Sequence, residues 1–523
     1  MRVWFAAGII RPAHLSLPFM NSATPAHSTP ADSSRPVDLL RQRALVTALR
    51  AFLPENAVLF REEDTRPYEC DGLTLYRQLP MIVALPENEE QVARILKLCH
   101  AHETPVVPRG AGTGLSGSAL PHSAGVLLSL AKFNRILSID ARARTATVQP
   151  GVRNLAISEA ASRHRLYYAP DPSSQIACTI GGNVAENSGG VHCLKYGLTV
   201  HNVLRVRGLT MQAEAVEFGG LAPDSPGLDL LALVIGSEGM LAVTTEVTVR
   251  LVPVAQTARC IMASFADVAE AGDAVAALIA AGIIPAGLEM LDQAAIRLVE
   301  PYANAGYDQD AAAVLLCESD GTPEEVAEEI VRMTEVLRTA RAVRIQVSTT
   351  ESERLRFWAG RKNAFPAAGR ASPAYYCMDG TIPRRRLGEM LKSIQALEPK
   401  YRLRCPNVFH AGDGNLHPLI LFDDADADSV ERATAFGAEI LELCVQMGGT
   451  VTGEHGVGVE KLDQMCSQFG RPTLNAFLAV KRAFDPAGLL NPGKVVPSLH
   501  RCAEYGRMRV HGGHLPFPEL PRF

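Results

Sequence analysis

The densest chemistry in the sequence lies late in the chain. His410-Ala411-Gly412-Asp413-Gly414-Asn415-Leu416-His417 places two imidazoles at the ends of a glycine-rich turn, and Glu454-His455-Gly456-Val457-Gly458 follows. Two histidines and one glutamate suit zinc or another borderline divalent metal, with a coordination position left open for substrate. In this reading His410, His417 and Glu454 are ligands, and His455 is free to act as a general base. The same residues could instead be hydrogen-bonded turn residues. A lone histidine would be read that way, whereas this grouping favours the metal set.

A second cluster is Arg109-Gly110-Ala111-Gly112-Thr113-Gly114-Leu115-Ser116-Gly117, which leaves a short strand at Val106-Val107. Glycines admit positive φ and close backbone approach, and a run of them can turn N–H groups toward an anion. A Walker loop is excluded because no Gly-Lys-Ser/Thr ends the run. A Rossmann loop would open a long helix, yet Pro121 and the strand-like Gly125–Leu130 follow. The loop therefore reads as the cradle of a pyrophosphate. Gly181-Gly182-Asn183-Val184-Ala185-Glu186-Asn187-Ser188-Gly189-Gly190, about 70 positions on, supplies a second wall for a long ligand, and Gly236-Ser237-Glu238-Gly239 a third close approach.

The elements that must position these groups alternate along the chain. Met81–Pro86 reads as a strand, and Asn88 caps a helix with Gln91 at the capping-box position. Val92, Ile95, Leu96 and Cys99 share one helical face. Thr145–Gln149 and Thr245–Leu251 read as strands, Val152–His164 as a helix, and the proline-stiffened Tyr167–Ser174 as extended chain. After a break near Pro253 come a strand at Ile261–Phe265, a helix at Val268–Ala281, a strand at Ala313–Leu316 and a helix at Glu324–Ala340. Strands at Val408-Phe409 and Leu419–Phe422 flank the histidine turn, and a helix ends near Met447. This is an α+β pattern with an antiparallel sheet covered by helices.

The whole chain bounds these readings. Its 523 residues, 47% of them hydrophobic, suffice for several domains with a large core. A net charge of −5 gives no footprint for nucleic acid. No apolar run approaches the roughly 18 residues needed to span a bilayer. The eleven cysteines are scattered and form no C-x-x-C pair, which argues against a zinc ribbon or an iron–sulfur cluster and predicts reduced thiols in a cytoplasmic protein. Residues 1–36 read as a disordered extension, with Met20 an alternative start. Arg384-Arg385-Arg386 reads as solvated surface.

The ordered set of motifs resembles the FAD-linked oxidases of the vanillyl-alcohol oxidase superfamily, and within it the D-2-hydroxyacid dehydrogenases. The set is the Arg109 loop, Pro170-Asp171-Pro172-Ser173-Ser174, Gly181–Asn187, His410–His417, Glu454–Gly458 and Asn491-Pro492-Gly493-Lys494. The likeness runs from about Tyr68 to the C-terminus, including the tail from His500 to Leu520. It implies a two-subdomain FAD-binding (PCMH-type) domain over 37–253 and an α+β substrate or cap domain over 254–484. It also implies a segment, 485–523, that returns to the FAD domain. Arg109, Gly110, Ala111, Gly112, Thr113, Gly114, Ser116 and Gly117 would bind the pyrophosphate. Pro170, Asp171, Ser174, Gly181, Gly182, Asn183, Ser188, Gly189 and Gly190 would line the rest of the flavin, with Gly236, Glu238, Gly239 and Asn491 alongside.

The resemblance further implies FAD held non-covalently, because Thr113 stands where some relatives carry a flavin-linked histidine. His192 is read as structural. The family's metal ligands fall on His410, His417 and Glu454, its base on His455, and its carboxylate-binding arginine on Arg361. Relatives acting on D-2-hydroxyglutarate carry a lysine where Cys377 stands and an asparagine where Leu419 stands. This loss of polar groups implies a shorter, monocarboxylic substrate such as glycolate or D-lactate. The implied partners are a second flavoprotein subunit and an iron–sulfur subunit that pass electrons to membrane quinone, with the chain cytoplasmic or peripheral at the inner membrane. A metallohydrolase, which leaves the glycine clusters unexplained, and an electron-relay flavoprotein, which has no need of the metal set, remain as rival readings.

Overall fold

The computed structural model describes residues 38–222, 227–498 and 501–502. The extension over 1–36, the alternative start at Met20 and most of the tail from His500 lie outside them.

The strand–helix–strand unit that launches the glycine loop forms as its pattern predicts. Asn88 Oδ1 accepts from Gln91 N at 2.9 Å and caps the helix Glu89–Ala101. Gln91 Oε1 reaches back to Glu87 N at 2.6 Å, one residue before the cap. Val92, Ile95, Leu96 and Cys99 are fully buried on the face that covers a four-stranded sheet. Its order is Val58–Leu59, Ile82–Ala84, Val126–Ser129, Val106–Arg109, with the last three parallel. The loop thus leaves the carboxyl end of a parallel strand, where open α/β sheets bind ligands.

A second sheet is antiparallel, in the order Ile136–Asp140, Thr145–Val148, Val243–Arg250, Val203–Leu209, Ala215–Gly219. The helix expected over Val152–His164 is Asn154–Ala161 followed by a tighter turn at Ser162–His164. The glycine cluster at 181–190 begins as a short helix, Ile180–Glu186, which ends at Asn187 with φ +55°.

The third sheet is antiparallel and five-stranded: Arg344–Val347, Thr257–Phe265, Ala313–Gly321, Gly287–Asp292, Val408–His410. Side chains alternate across a strand. Ile261, Ala263 and Phe265 enter one core with the helices Val268–Ala280, Pro323–Thr339 and Leu387–Tyr401, whereas Cys260 and Met262 enter another with Trp358 and Ala364. Both faces are covered, which is why these strands read as continuous apolar runs. The chain is α+β. Leu490 returns to the first sheet, where Val106 N donates to Leu489 O and Asn491 N donates to Val106 O.

Two expectations are corrected here. Cys466 and Cys502 form a disulfide, so the thiols are not all reduced; Cys70, Cys99, Cys178, Cys193, Cys260, Cys317, Cys377, Cys405 and Cys444 are free. The segment after Val495 folds back on the helix Leu462–Gln468, where Arg501 also pairs with Asp463, and this brings the two sulfurs together. Arg384 is not solvated surface: its guanidinium donates to Gly412 O at 2.8 Å and braces the histidine turn.

Candidate active site

His410 ends its strand directly opposite Glu289 on the neighbouring strand. Gly414, at φ +81°, lets the turn close, since a Cβ there would lie 2.2 Å from Ile382 O. The turn brings His417 back until the two rings stand at 83° with centroids 4.9 Å apart. Nε2 of His410 and Nε2 of His417 both face Glu454 Oε1, at 3.2 and 3.0 Å. Burial alone would raise the Glu454 carboxyl, but His410 and His417 outweigh it and hold it well below the usual carboxylate range. Two imidazole nitrogens and a carboxylate oxygen therefore converge, and this donor set fits a divalent metal.

Glu289 is fully buried; its Oε1 lies 2.7 Å from His410 Nδ1 and its Oε2 accepts from Arg361 Nε at 2.6 Å. With Nδ1 on Glu289, Nε2 is the ring nitrogen of His410 that faces Glu454 and would be the one offered to a metal. Arg361, 2% exposed, comes from the helix Glu351–Lys362. Its terminal nitrogens make no hydrogen bond to any described residue, so the outer fork of the guanidinium is left for another group.

The Glu454-His455 loop hangs on Asp379, which is fully buried. Its carboxylate accepts from the backbone N–H groups of Gly453, Glu454 and His455 and from Lys461 Nζ at 3.2 Å. Burial opposes the charge on Asp379, but His455, Lys461 and His417 outweigh burial and hold its pKa far below the ordinary value. The His455 ring lies parallel to that of His417, centroids 5.0 Å apart, and its Nδ1 is buried without a hydrogen-bond partner. Burial pushes its pKa down to about 4 despite the neighbouring Asp379, so the imidazole is neutral and able to take a proton.

One cavity of about 430 Å³ joins these groups to the glycine loops. Its lining includes Arg109, Gly110, Ala111, Gly112, Thr113, Gly114, Ser174, Gly181, Gly182, Asn183, Ser188, Glu238 and Gly239, and at the far end His417, Glu454 and His455. At Gly114 and Gly182 a Cβ would meet nothing nearer than 3.8 and 3.6 Å, ordinary contact distances, so the backbone there is approachable from the cavity. Thr179 Oγ1 and Asn183 Nδ2 are buried on the lining with no partner. Unpaired buried polar atoms beside an approachable backbone fit a polar cofactor such as FAD.

The remaining expected residues stand behind this lining. Ser116 O accepts from Val459 N and Glu460 N, and Gly117 packs against Val459. Pro170 O accepts from Asn154 Nδ2 at 3.0 Å. Asp171 is bound to His192, which bridges it to Glu318 at 2.7 and 3.3 Å. A Cβ on Gly189 would lie 2.5 Å from Glu454 Oε2, and one on Gly190 would meet Asp171. Gly236 N donates to Val184 O, and Asn491 Nδ2 donates to Ser118 O and Glu238 O. Arg361 and His410 are close to the far end but do not line the cavity.

Sequence reasoning missed Glu289, Asp379 and Thr179. A signal for Glu289 existed, because a lone acid inside the apolar run Gly287-Leu288-Glu289-Met290-Leu291 demands a buried partner.

Known proteins resemble this chain in sequence and in fold. Residues 80–219 match the FAD binding domain family, and residues 254–495 match the family of FAD linked oxidases, C-terminal domain. The glycolate oxidase subunit GlcD of Escherichia coli (strain K12) is 59% identical over 480 residues, covering 92% of this chain and 96% of that protein. The glycolate oxidase subunit GlcD of Bacillus subtilis (strain 168) is 40% identical over 429 residues, 82% of this chain and 91% of that protein. In fold the chain is similar to p-cresol methylhydroxylase, with a TM-score of 0.77 at 20% identity over 89% of this chain and 98% of that one. With both halves matched by their families and nearly its whole length aligned with curated relatives, the chain belongs to the FAD-linked oxidases.

Proposed function

We propose that this chain oxidises glycolate to glyoxylate with FAD as its electron acceptor. The observation that carries the reading is the single cavity that joins the glycine loops to Glu454, His417 and His455. The identity to glycolate oxidase subunits supports the substrate.

Arg361 receives the substrate carboxylate on its terminal nitrogens, a planar fork suited to two parallel charge-assisted hydrogen bonds. His410, His417 and Glu454 would hold a divalent metal, zinc suiting the donors, which would supply Lewis acidity. His455, kept neutral by burial, takes the hydroxyl proton. Arg109–Gly114, Ser174, Gly181–Asn183 and Ser188 would hold FAD without a covalent link, and it would supply a two-electron acceptor. Relatives acting on D-2-hydroxyglutarate carry polar groups where Leu419 and Cys377 stand, which favours a monocarboxylic acid; both side chains lie in the buried core behind the cavity. The chain works as one subunit of a complex, with a second flavoprotein and an iron–sulfur partner carrying electrons onward, in the cytoplasm or peripherally at the inner membrane. No described helix is long and apolar enough to cross a membrane.

Rapid anaerobic mixing with glycolate tests the assignment of the base. His455→Ala should keep its flavin and bleach about a hundredfold or more slowly than the parent chain. Bleaching at the parent rate would remove His455 as the base.

A further inference from the structure

Beside the His410–His417–Glu454 set stands a second group of ligand atoms. Cys377 ends the strand Ala374–Cys377 and pairs with Leu419, two residues beyond His417. Cys377 Sγ, a nitrogen of His417 and a nitrogen of His455 all lie within 4.8 Å of one another. Cys377 and His417 are 4% and 2% exposed. The thiol makes only a weak contact, 3.4 Å, to the carbonyl of its own neighbour Met378. Nδ1 of His455 is buried with no hydrogen-bond partner at all.

A thiol with two imidazoles is a soft-to-borderline donor set. Metal–sulfur and metal–nitrogen bonds of about 2.3 and 2.0 Å bring the donors of one ion within roughly 4.3 Å of each other. The observed spacing therefore closes on an ion with small side-chain movements.

We propose that Cys377, His417 and His455 form a second metal site, for a thiophilic divalent ion such as Cd²⁺ or Zn²⁺, and that filling it switches the enzyme off. His417 belongs to both sets: its Nε2 faces Glu454, and its Nδ1 shares the Met378 carbonyl with Cys377 Sγ. Coordination displaces the thiol proton to solvent and engages the His455 imidazole. The loss of activity rests on the reading of His455 as the base; the binding site itself does not. Mg²⁺, which prefers oxygen donors, has no claim on this set.

The test is a Cd²⁺ titration of the FAD-loaded full chain, following thiolate-to-metal charge-transfer absorbance in the ultraviolet and, in parallel, anaerobic flavin bleaching by glycolate. The expected result is a charge-transfer band that saturates at one ion per chain while bleaching slows about a hundredfold or more. Cys377→Ser should lose that band and continue to bleach at the same Cd²⁺ concentration. Cys377→Ala serves if the serine variant does not retain flavin. A band unchanged in both variants, or no band in the parent chain, overturns the site. A Cys377-dependent band with undiminished bleaching overturns the inhibition while leaving the site standing, and the His455→Ala variant decides separately whether His455 is the base.

Discussion

Glu289 and His410 face each other across adjacent strands, with Oε1 2.7 Å from Nδ1 in a fully buried setting. The same carboxylate holds Arg361 through its other oxygen. One side chain thus fixes the spacing between the proposed metal ligand and the proposed substrate clamp. A carboxylate behind a ligating histidine sets its tautomer and typically governs metal affinity by about 10–100-fold. Glu289→Gln should weaken metal affinity by that order, so that metal per chain falls on dialysis against a metal buffer set near the parent Kd, measured by elemental analysis. Metal content equal to that of the parent chain would refute the positioning role.

In the proposed function Arg361 meets a carboxylate with its outer nitrogens while Nε stays on Glu289. Lysine keeps the charge but cannot make both contacts. Arg361→Lys should raise KM for glycolate about tenfold or more, since one charge-assisted bond contributes about 1.5–3 kcal/mol. Steady-state dye reduction measures this, and flavin content should remain that of the parent.

Gly112 sits at φ +73°, where an added Cβ would lie 2.1 Å from the Arg109 guanidinium. Positive φ costs a non-glycine residue about 1–3 kcal/mol, and the clash displaces Arg109 from the cavity wall. Gly112→Ala should therefore lose FAD on gel filtration and melt at lower temperature. Gly114, whose Cβ would meet nothing within 3.8 Å, provides the contrasting position.

Glu460 is buried, with Lys461 Nζ 3.6 Å from its Oε2. Burial, reinforced by Asp379, pushes its pKa up to about 7 although Lys461 opposes the shift. Between the unfolded value near 4.5 and about 7 the folded chain binds the extra proton, so stability falls as pH rises through that window. Glu460→Gln should stabilise the protein by about 3 kcal/mol at pH 8 and by less than about 1 kcal/mol at pH 5. Denaturant melts at the two pH values measure the difference; an equal gain at both would contradict it.

Local chemistry was legible in the sequence. The Asn88 cap, the buried face of Glu89–Ala101 and the strand before the Arg109 loop all follow from neighbouring residues. The histidine turn and the glutamate-histidine loop were visible as candidates by residue type alone. The bracing of those candidates was not legible, because it depends on sheet order. Glu289 meets His410 from 121 residues away, and Asp379 holds His455 N from 76 residues away. The Cys466–Cys502 bond spans 36 residues and depends on the chain folding back after Val495. Arg384 looked like surface because three adjacent arginines usually are; its carbonyl partner, Gly412, lies on a turn the local pattern does not place beside it.

The most direct test is an anaerobic absorbance spectrum of the purified chain before and after glycolate, with product analysis and with D-lactate and D-2-hydroxyglutarate as comparisons. The account predicts flavin bands that bleach with glycolate and yield one glyoxylate per flavin, with D-2-hydroxyglutarate the slowest of the three. Flavin that stays oxidised with glycolate in a metal-loaded chain, or a chain that fails to bind added FAD, would contradict it.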